Sequence, residues 1–115
     1  MSIQRIGVGP RMSQAVVHGN TVYLAGVVAS DTSAGVGGQT RQILARIDEL
    51  LAEAGTDKSK LLSTNIWLAD ISTFAEMNAE WDAWVSPGNT PARATVQAAM
   101  ATPEYLVEIM VQAAR

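Results

Sequence analysis

The spacing of apolar residues along the chain alternates between strand-like and helical periods. Residues 39–54 carry apolar side chains every three or four positions and are followed by Gly55, which predicts an amphipathic helix with a glycine cap. Residues 61–69 alternate instead, with the even positions from Leu62 to Leu68 on one face, which predicts a half-buried strand. The predicted elements are, in chain order, a short opening segment (3–8), two strands joined at Gly19 and Asn20 (15–18 and 21–25), a loop (30–38), a helix (39–54), a strand (61–69), a helix (73–85) and two strands (92–99 and 105–113).

This order, β-β-α-β-α-β-β, predicts an α+β fold in which two helices cover one face of a single mixed sheet. The last strand is apolar on both sides, since Val107, Ile109 and Val111 alternate with Leu106 and Met110. An apolar sheet face without a helical cover implies a partner subunit, and the alternative is a sheet that curls over itself. With 115 residues, the sequence is expected to form one domain over residues 1–115.

Composition excludes several classes of site. The chain has no cysteine and one histidine, which rules out disulfides, thiolate zinc sites and multi-histidine metal sites. It carries 8 basic against 11 acidic residues, whereas proteins that track nucleic-acid phosphates usually show a basic surplus. No apolar run is long enough to span a membrane. We therefore expect a soluble cytoplasmic protein without nucleic-acid or membrane partners.

The second predicted helix contains two features that need interpretation. Thr73 and Glu76 have the spacing of a capping box, in which each side chain bonds a free backbone N–H of the first turn. Trp81 and Trp84 are three residues apart and share a helical face. They are either core residues, or one of them borders a pocket at a subunit boundary.

Arg93 and Glu108 are charges inside otherwise apolar strands, where a charge is costly unless it is paired or functional. If the last two strands form a hairpin in which Ala98 pairs with Pro103, Arg93 lies opposite Glu108, and Thr95 shares their face. The guanidinium could then hold a substrate carboxylate while Glu108 positions or deprotonates a water molecule. The alternative is a structural Arg–Glu ion pair that joins the two strands.

These residues lie in motifs that resemble the RidA family, also called the YjgF family. The sequence TPARATV at residues 90–96 is followed by YLVEI at 105–109, and Glu108 lies fifteen residues after Arg93, as in the family signature. The segments FAEMN at 74–78 and WDAW at 81–84 are also similar to the family. The resemblance covers nearly the whole chain, and its second half is most similar to the YoaB-like subgroup.

The resemblance implies a chorismate-mutase-like subunit, assembled into a homotrimer with sites in the clefts between subunits. It implies a deaminase that hydrolyses reactive enamines and imines to 2-keto acids and ammonia without a cofactor or metal. In that family the residue matching Arg93 binds the substrate carboxylate, and the residue matching Glu108 holds the attacking water. Further substrate-binding positions implied by the resemblance are Asn78, Thr95 and Gly26.

Two pocket positions depart from the family archetype. Met12 stands where the archetype has a tyrosine, and Ala25 stands where it has a serine. Both replacements remove polar groups, which indicates a more apolar or bulkier imine as substrate. A trimer that binds small acids without turnover, as a sensor, is an alternative function. RNA cleavage or translation inhibition, also attached to this family, is disfavoured by the acidic composition.

Overall fold

A computed structural model describes all residues, 1–115, as one six-stranded sheet and two helices. The opening segment, to which the sequence assigned no element, forms the first strand. The remaining elements follow the predicted order, with ends that differ by at most three residues. The elements are β1 (Ile3–Ile6), β2 (Ala15–His18), β3 (Thr21–Leu24), α1 (Val36–Glu53), β4 (Leu61–Leu68), α2 (Phe74–Trp84), β5 (Ala92–Gln97) and β6 (Val107–Ala114).

The strand order is β1-β2-β3-β6-β4-β5, which contradicts the predicted hairpin of the last two strands. β5 pairs in parallel with β4 at one edge of the sheet, and α2 forms the crossover between these two strands. β6 instead lies between β3 and β4 and runs antiparallel to both. The chain from 98 to 106 therefore crosses the end of β4, which puts the most apolar strand in the centre of the sheet.

Both helices pack on the same face of this mixed sheet, as predicted. Alternate residues of the strands, such as Val22, Ile66 and Ile109, form one buried core with Ile43 of α1 and Met77 of α2. Four of the six strands, β2, β3, β4 and β6, contribute buried side chains to this core. The fold class predicted from the sequence, α+β with two helices on one face, is confirmed.

Helix α1 begins three residues earlier than predicted. Val36 is buried in the core, and the hydroxyl of Thr40 donates to its carbonyl oxygen, so the first turn forms despite Gly37 and Gly38. Its end is as predicted, because Gly55 has a φ of 83° and the N–H of Thr56 bonds back into the last turn.

The predicted capping box at the start of α2 is wrong. The hydroxyl of Thr73 donates to the carbonyl oxygen of Asp70 at 2.6 Å and makes no cap bond. Asp70 caps the short 3₁₀ turn before α2 instead, by accepting from the N–H of Ser72 at 2.9 Å. Hydrogen bonds from Ser72 lower the pKa of Asp70, because they stabilise its charged form.

The opposite face of the sheet has no helical cover, as the sequence predicted. It carries apolar side chains such as Val16, Tyr23 and Val96, of which Tyr23 is 42% and Val96 49% exposed. Leu62 is also exposed, against its prediction as a core position, because a bulge between Leu61 and Ser63 shifts the alternation. We call this surface the open face.

The loop that leads into β6 is fixed by a buried glutamine of α1. The amide nitrogen of Gln39 donates to the carbonyl oxygens of Glu104 at 3.0 Å and Ala34 at 3.1 Å. Its amide oxygen accepts from the N–H of Leu106 at 3.0 Å. Because Gln39 is fully buried, these bonds determine where β6 starts and hence where Glu108 lies.

Candidate functional site

Arg93 lies on β5, on the helix-covered side of the sheet, and its guanidinium is held by α2. Its Nη1 donates to Oδ1 of Asn78 at 2.8 Å. Its Cζ lies 5.3 Å from the ring centroid of Trp81 and 5.8 Å from that of Phe74. No carboxylate lies within salt-bridge distance of Arg93. The guanidinium is therefore oriented by an amide and two rings while its charge is left for another anion.

The two rings beside Arg93 were not predicted as part of the site from the sequence. Phe74, Asn78 and Trp81 are spaced four and three residues apart on α2, so they share one helical face toward β5. That spacing was available in the sequence, but it becomes informative only when β5 is known to pair beside β4. Trp81 is buried in the core, as one of its two interpretations held, while Trp84 is half-buried at the surface.

Thr95 lies on the same side of β5, two residues beyond Arg93. Its hydroxyl is buried and has no hydrogen-bond partner, and the same is true of Thr64 on the neighbouring strand. Buried hydroxyls without a partner are unusual in folded proteins. Since β5 is an edge strand, part of its backbone is also unpaired within the subunit. We call Arg93, Asn78 and Thr95 the Arg93 group.

Glu108 lies on β6, on the open face, and its carboxylate lies directly over Gly26. A Cβ built on Gly26 would be 2.1 Å from Oε2 of Glu108, so no larger residue fits without moving that side chain. Two backbone bonds between Val27 and Ile109, of 2.8 and 3.1 Å, fix the approach of these two segments. The carboxylate makes no hydrogen bond and has no cation within salt-bridge distance.

Ala25 and Met12 adjoin Glu108 and Gly26. The N–H of Ala25 donates to the carbonyl oxygen of Gln14 at 2.9 Å, which attaches the loop after β3 to the segment that contains Met12. Met12 is 49% exposed, and it lines a cavity of about 450 Å³ together with Gly26. We call Glu108, Gly26, Ala25 and Met12 the Glu108 group.

The predicted pairing of Arg93 with Glu108 is wrong. Arg93 pairs with Thr64 and Glu108 pairs with Trp67, and these two partners lie on opposite faces of β4. Within one subunit the two charges therefore point to opposite sides of the sheet. The ion-pair interpretation fails for the same reason, because neither residue neutralises the other.

The structure contains neither a metal-ligand cluster nor a helix that could span a membrane. No three histidine, aspartate or glutamate side chains converge in a way that could hold a metal ion. Neither helix is long and apolar enough to cross a bilayer.

Residues 2–115 match the family model described as endoribonuclease L-PSP. The RutC family protein YoaB of Escherichia coli is 46% identical over 114 residues, which is 99% of each chain. The crystal structure of a YjgF family member from Neisseria meningitidis superposes with a TM-score of 0.97 at 44% identity, covering 100% of this chain and 96% of that one. The chain belongs to the RidA/YjgF family.

Within the RidA/YjgF family, YoaB is similar over the whole chain, so the predicted YoaB-like resemblance is confirmed. A more distant relative is the rat protein named 2-iminobutanoate/2-iminopropanoate deaminase. It is 34% identical over 103 residues, which cover 84% of this chain and 74% of that protein. The name of an imine deaminase therefore belongs to a more distant relative, while similar full-length relatives carry only a family name.

Gly26→Ala should lower any activity that depends on Glu108 at least about tenfold, because the new Cβ would displace the carboxylate, which lies 2.1 Å from its position. The melting temperature should change little, since the Glu108 side chain can rotate toward solvent. Gly35→Ala is the matched control, because a Cβ there meets nothing within 4 Å. Full activity of Gly26→Ala would show that the carboxylate position is unimportant.

Proposed function

We propose that the protein is a deaminase that hydrolyses the C=N bond of small 2-imino acids and their enamine tautomers. One observation carries this proposal. In the Arg93 group, the guanidinium is oriented by Asn78 and has no carboxylate as ion-pair partner. In the Glu108 group, the carboxylate has no cation as ion-pair partner. Together they match a substrate that has a carboxylate at one end and needs a water molecule activated at the other.

The relatives support the same chemistry. The rat protein, 34% identical, and the human protein, 33% identical over 108 residues, are both named 2-iminobutanoate/2-iminopropanoate deaminase. Their named substrates are small 2-imino acids. A carboxylate beside the C=N bond is what the free guanidinium of Arg93 would recognise.

The two groups can act together only if they come from different subunits, because they lie on opposite sides of one sheet. The open face supplies a reason to associate, since Tyr23, Trp67, Val96 and Met110 lie there with no helix over them. We propose that the face is covered in a homotrimer, and that each cleft combines the Arg93 group of one subunit with the Glu108 group of a neighbour.

The proposed reaction in such a cleft consumes one water molecule for each imine. Arg93 binds the substrate carboxylate through two N–H donors, while the hydrogen bond to Asn78 fixes the orientation of the guanidinium. Glu108 accepts a proton from water as the water oxygen bonds to C2 of the imine. The carboxyl group then passes this proton to the imine nitrogen, which gives an adduct with a hydroxyl and an amino group on C2. The hydroxyl proton of this adduct then moves through Glu108 to the nitrogen as the C–N bond breaks and the C2–O bond becomes a carbonyl, so the products are a 2-keto acid and ammonia. An enamine first gains a proton at its terminal carbon and loses one from its nitrogen to become the imine. No step needs a cofactor.

Mixing two inactive variants tests this arrangement directly. Arg93→Ala and Glu108→Gln should each be inactive on imines generated in situ from alanine by an amino-acid oxidase. If the site is shared between subunits, every mixed trimer contains one cleft with both native residues. Unfolding and refolding a 1:1 mixture should therefore restore about a quarter of the wild-type rate of 2-keto acid release.

Light scattering on the same samples should give about three times the chain mass of 12.2 kDa. If the mixture stays inactive while the wild type is active, the two residues do not share an intersubunit site. If the wild type binds 2-keto acids but turns over no imine, the protein is a small-acid-binding trimer rather than a deaminase.

Location in the cytoplasm remains a prediction.

A further inference from the structure

Trp67 lies on the open face beside Glu108 and has no part in the proposed reaction. Its register partner on β6 is Glu108, and its register partner on β5 is Val96. Directly opposite residues of antiparallel strands point to the same side of a sheet, with Cβ atoms about 5 Å apart. The indole of Trp67 is therefore the direct neighbour of the Glu108 side chain toward the β5 edge of the sheet.

Glu108 has different neighbours on its two sides. Toward β3, its carboxylate lies over Gly26, where a Cβ would be 2.1 Å from Oε2. Toward β4, its neighbour is Trp67. Because the carboxylate lies over Gly26, on the side away from β4, it does not cover the indole. A molecule held beside this carboxylate can therefore contact the indole as well.

Trp67 is the one tryptophan of this chain whose side chain is neither in the core nor hydrogen-bonded. Trp81 is 5% exposed and belongs to the core, and Nε1 of Trp84 donates to Asp48 at 3.0 Å. Trp67 is half-buried on the open face, lies outside the core, and donates no hydrogen bond from its indole N–H. Since tryptophan usually uses both its apolar surface and its N–H, the indole is available to a molecule beside Glu108.

The surface next to Trp67 is apolar toward both neighbouring strands, apart from Glu108. Val96 on β5 is 49% exposed, and Met110 lies diagonally across on β6. We call Trp67, Val96 and Met110 the Trp67 patch. Asn65, the preceding open-face residue of β4, lies opposite Met110 and forms the polar border of the patch. An alkyl or aromatic group gains free energy by burial here, whereas a second carboxylate would meet no cation.

We propose that the Trp67 patch binds the side chain of the substrate, and that Trp67 makes the protein prefer imines with alkyl or aromatic side chains, such as the imine of leucine, over the imine of alanine. This inference rests on the proposed function, since it places the side chain of an imine whose C2 lies beside Glu108. In the proposed homotrimer, the part of the indole next to Glu108 borders the cleft. Open-face residues further from Glu108, such as Tyr23, pack against the neighbouring subunit.

The test compares two imines, generated in situ from leucine and from alanine by the matching oxidases. The measured quantity is the ratio of kcat/KM for the leucine-derived imine to that for the alanine-derived imine. Trp67→Ala should lower this ratio about tenfold, because the additional carbon atoms of the leucine side chain lose an apolar contact. Trp67→Phe should lower the ratio less, since a smaller ring keeps part of that contact.

Trp84→Ala is the matched control, because it makes the same change on α2, outside the open face, and should leave the ratio unchanged. Light scattering identifies the variants that remain assembled. An unchanged or raised ratio in assembled Trp67→Ala would overturn the inference, as would a wild type that prefers the alanine-derived imine. If Trp67→Ala does not assemble, an unchanged ratio in assembled Trp67→Phe would mean that Trp67 only joins the subunits.

If no imine is turned over, titration with the 2-keto acid of leucine and with pyruvate separates the two proposals. Tighter binding of the leucine-derived acid that Trp67→Ala abolishes supports the Trp67 patch while the deaminase proposal fails. Equal binding of both acids overturns the patch.

Discussion

Replacing Arg93 with alanine is expected to remove nearly all imine turnover while leaving the subunit folded. Removing one partner of a desolvated charge pair costs about 2–5 kcal/mol, which corresponds to about 30- to 5,000-fold in kcat/KM. The fold should lose only the bond to Asn78 and the packing against Trp81 and Phe74, about 1 kcal/mol, because Arg93 has no ion-pair partner in the subunit. Steady-state assays and thermal melts of the same preparation measure the two effects.

Arg93→Lys sharpens this prediction because it keeps the charge. Lysine cannot present two parallel N–H donors to a carboxylate. It also lacks a planar group that could pack against Trp81 while it donates a hydrogen bond to Asn78. We therefore expect it to be nearly as impaired as the alanine variant. Arg41→Lys on the outer surface of α1 is the control and should behave as the wild type. Near-full activity of Arg93→Lys would mean that a point charge suffices and that the two-donor clamp is the wrong description.

Replacing Glu108 with glutamine is expected to slow turnover by about 10²–10⁴-fold, the usual contribution of a positioned general acid–base group. Glutamine nearly preserves the size of the side chain over Gly26, but it cannot accept a proton from water. Melting temperature should hardly change, because Glu108 accepts no hydrogen bond and neutralises no cation within the subunit. Rates of 2-keto acid release and paired melts of the two proteins measure this.

The stability measurement separates two roles of Glu108 that the sequence left open. As a counter-ion of a buried cation, its loss would lower stability by about 3–5 kcal/mol. Its place on the open face, away from Arg93, excludes that role within one subunit. Glu53→Gln on the exposed end of α1 is a control for the loss of one negative charge. Normal turnover by Glu108→Gln would contradict the catalytic role of Glu108 and leave Arg93 as a binding residue without a catalytic partner.

Local patterns in the sequence predicted most of the elements. Helical periodicity found α1 to within three residues at its start, and Gly55 ended it because a left-handed cap costs glycine little. Alternation found the strands and gave the correct buried parity for Ile66 and Leu68. Only the bulge at Leu62 broke this rule, because an extra residue in a strand leaves no signature in polarity alone.

The family motifs likewise determined which residues to consider, and the structure shows that they form two groups. Arg93 lies beside Asn78, and Glu108 lies over Gly26, as expected of residues that share a site.

What the sequence determined by itself is therefore most of the elements, the buried side of β4, and the residues that could take part in chemistry. What only the tertiary structure decided is strand order. Adjacent strands in sequence suggested a hairpin that would place Arg93 opposite Glu108, but β6 inserts between β3 and β4 and leaves β5 at the edge. The physical reason is burial of apolar surface. The strand β6 has apolar side chains on both faces, so it gains the most free energy of burial in the centre of the sheet. The strand β5 has exposed positions on the open face and can therefore remain at an edge. That choice places the two charges on opposite sides of one subunit, so the proposed reaction needs Arg93 and Glu108 from different subunits.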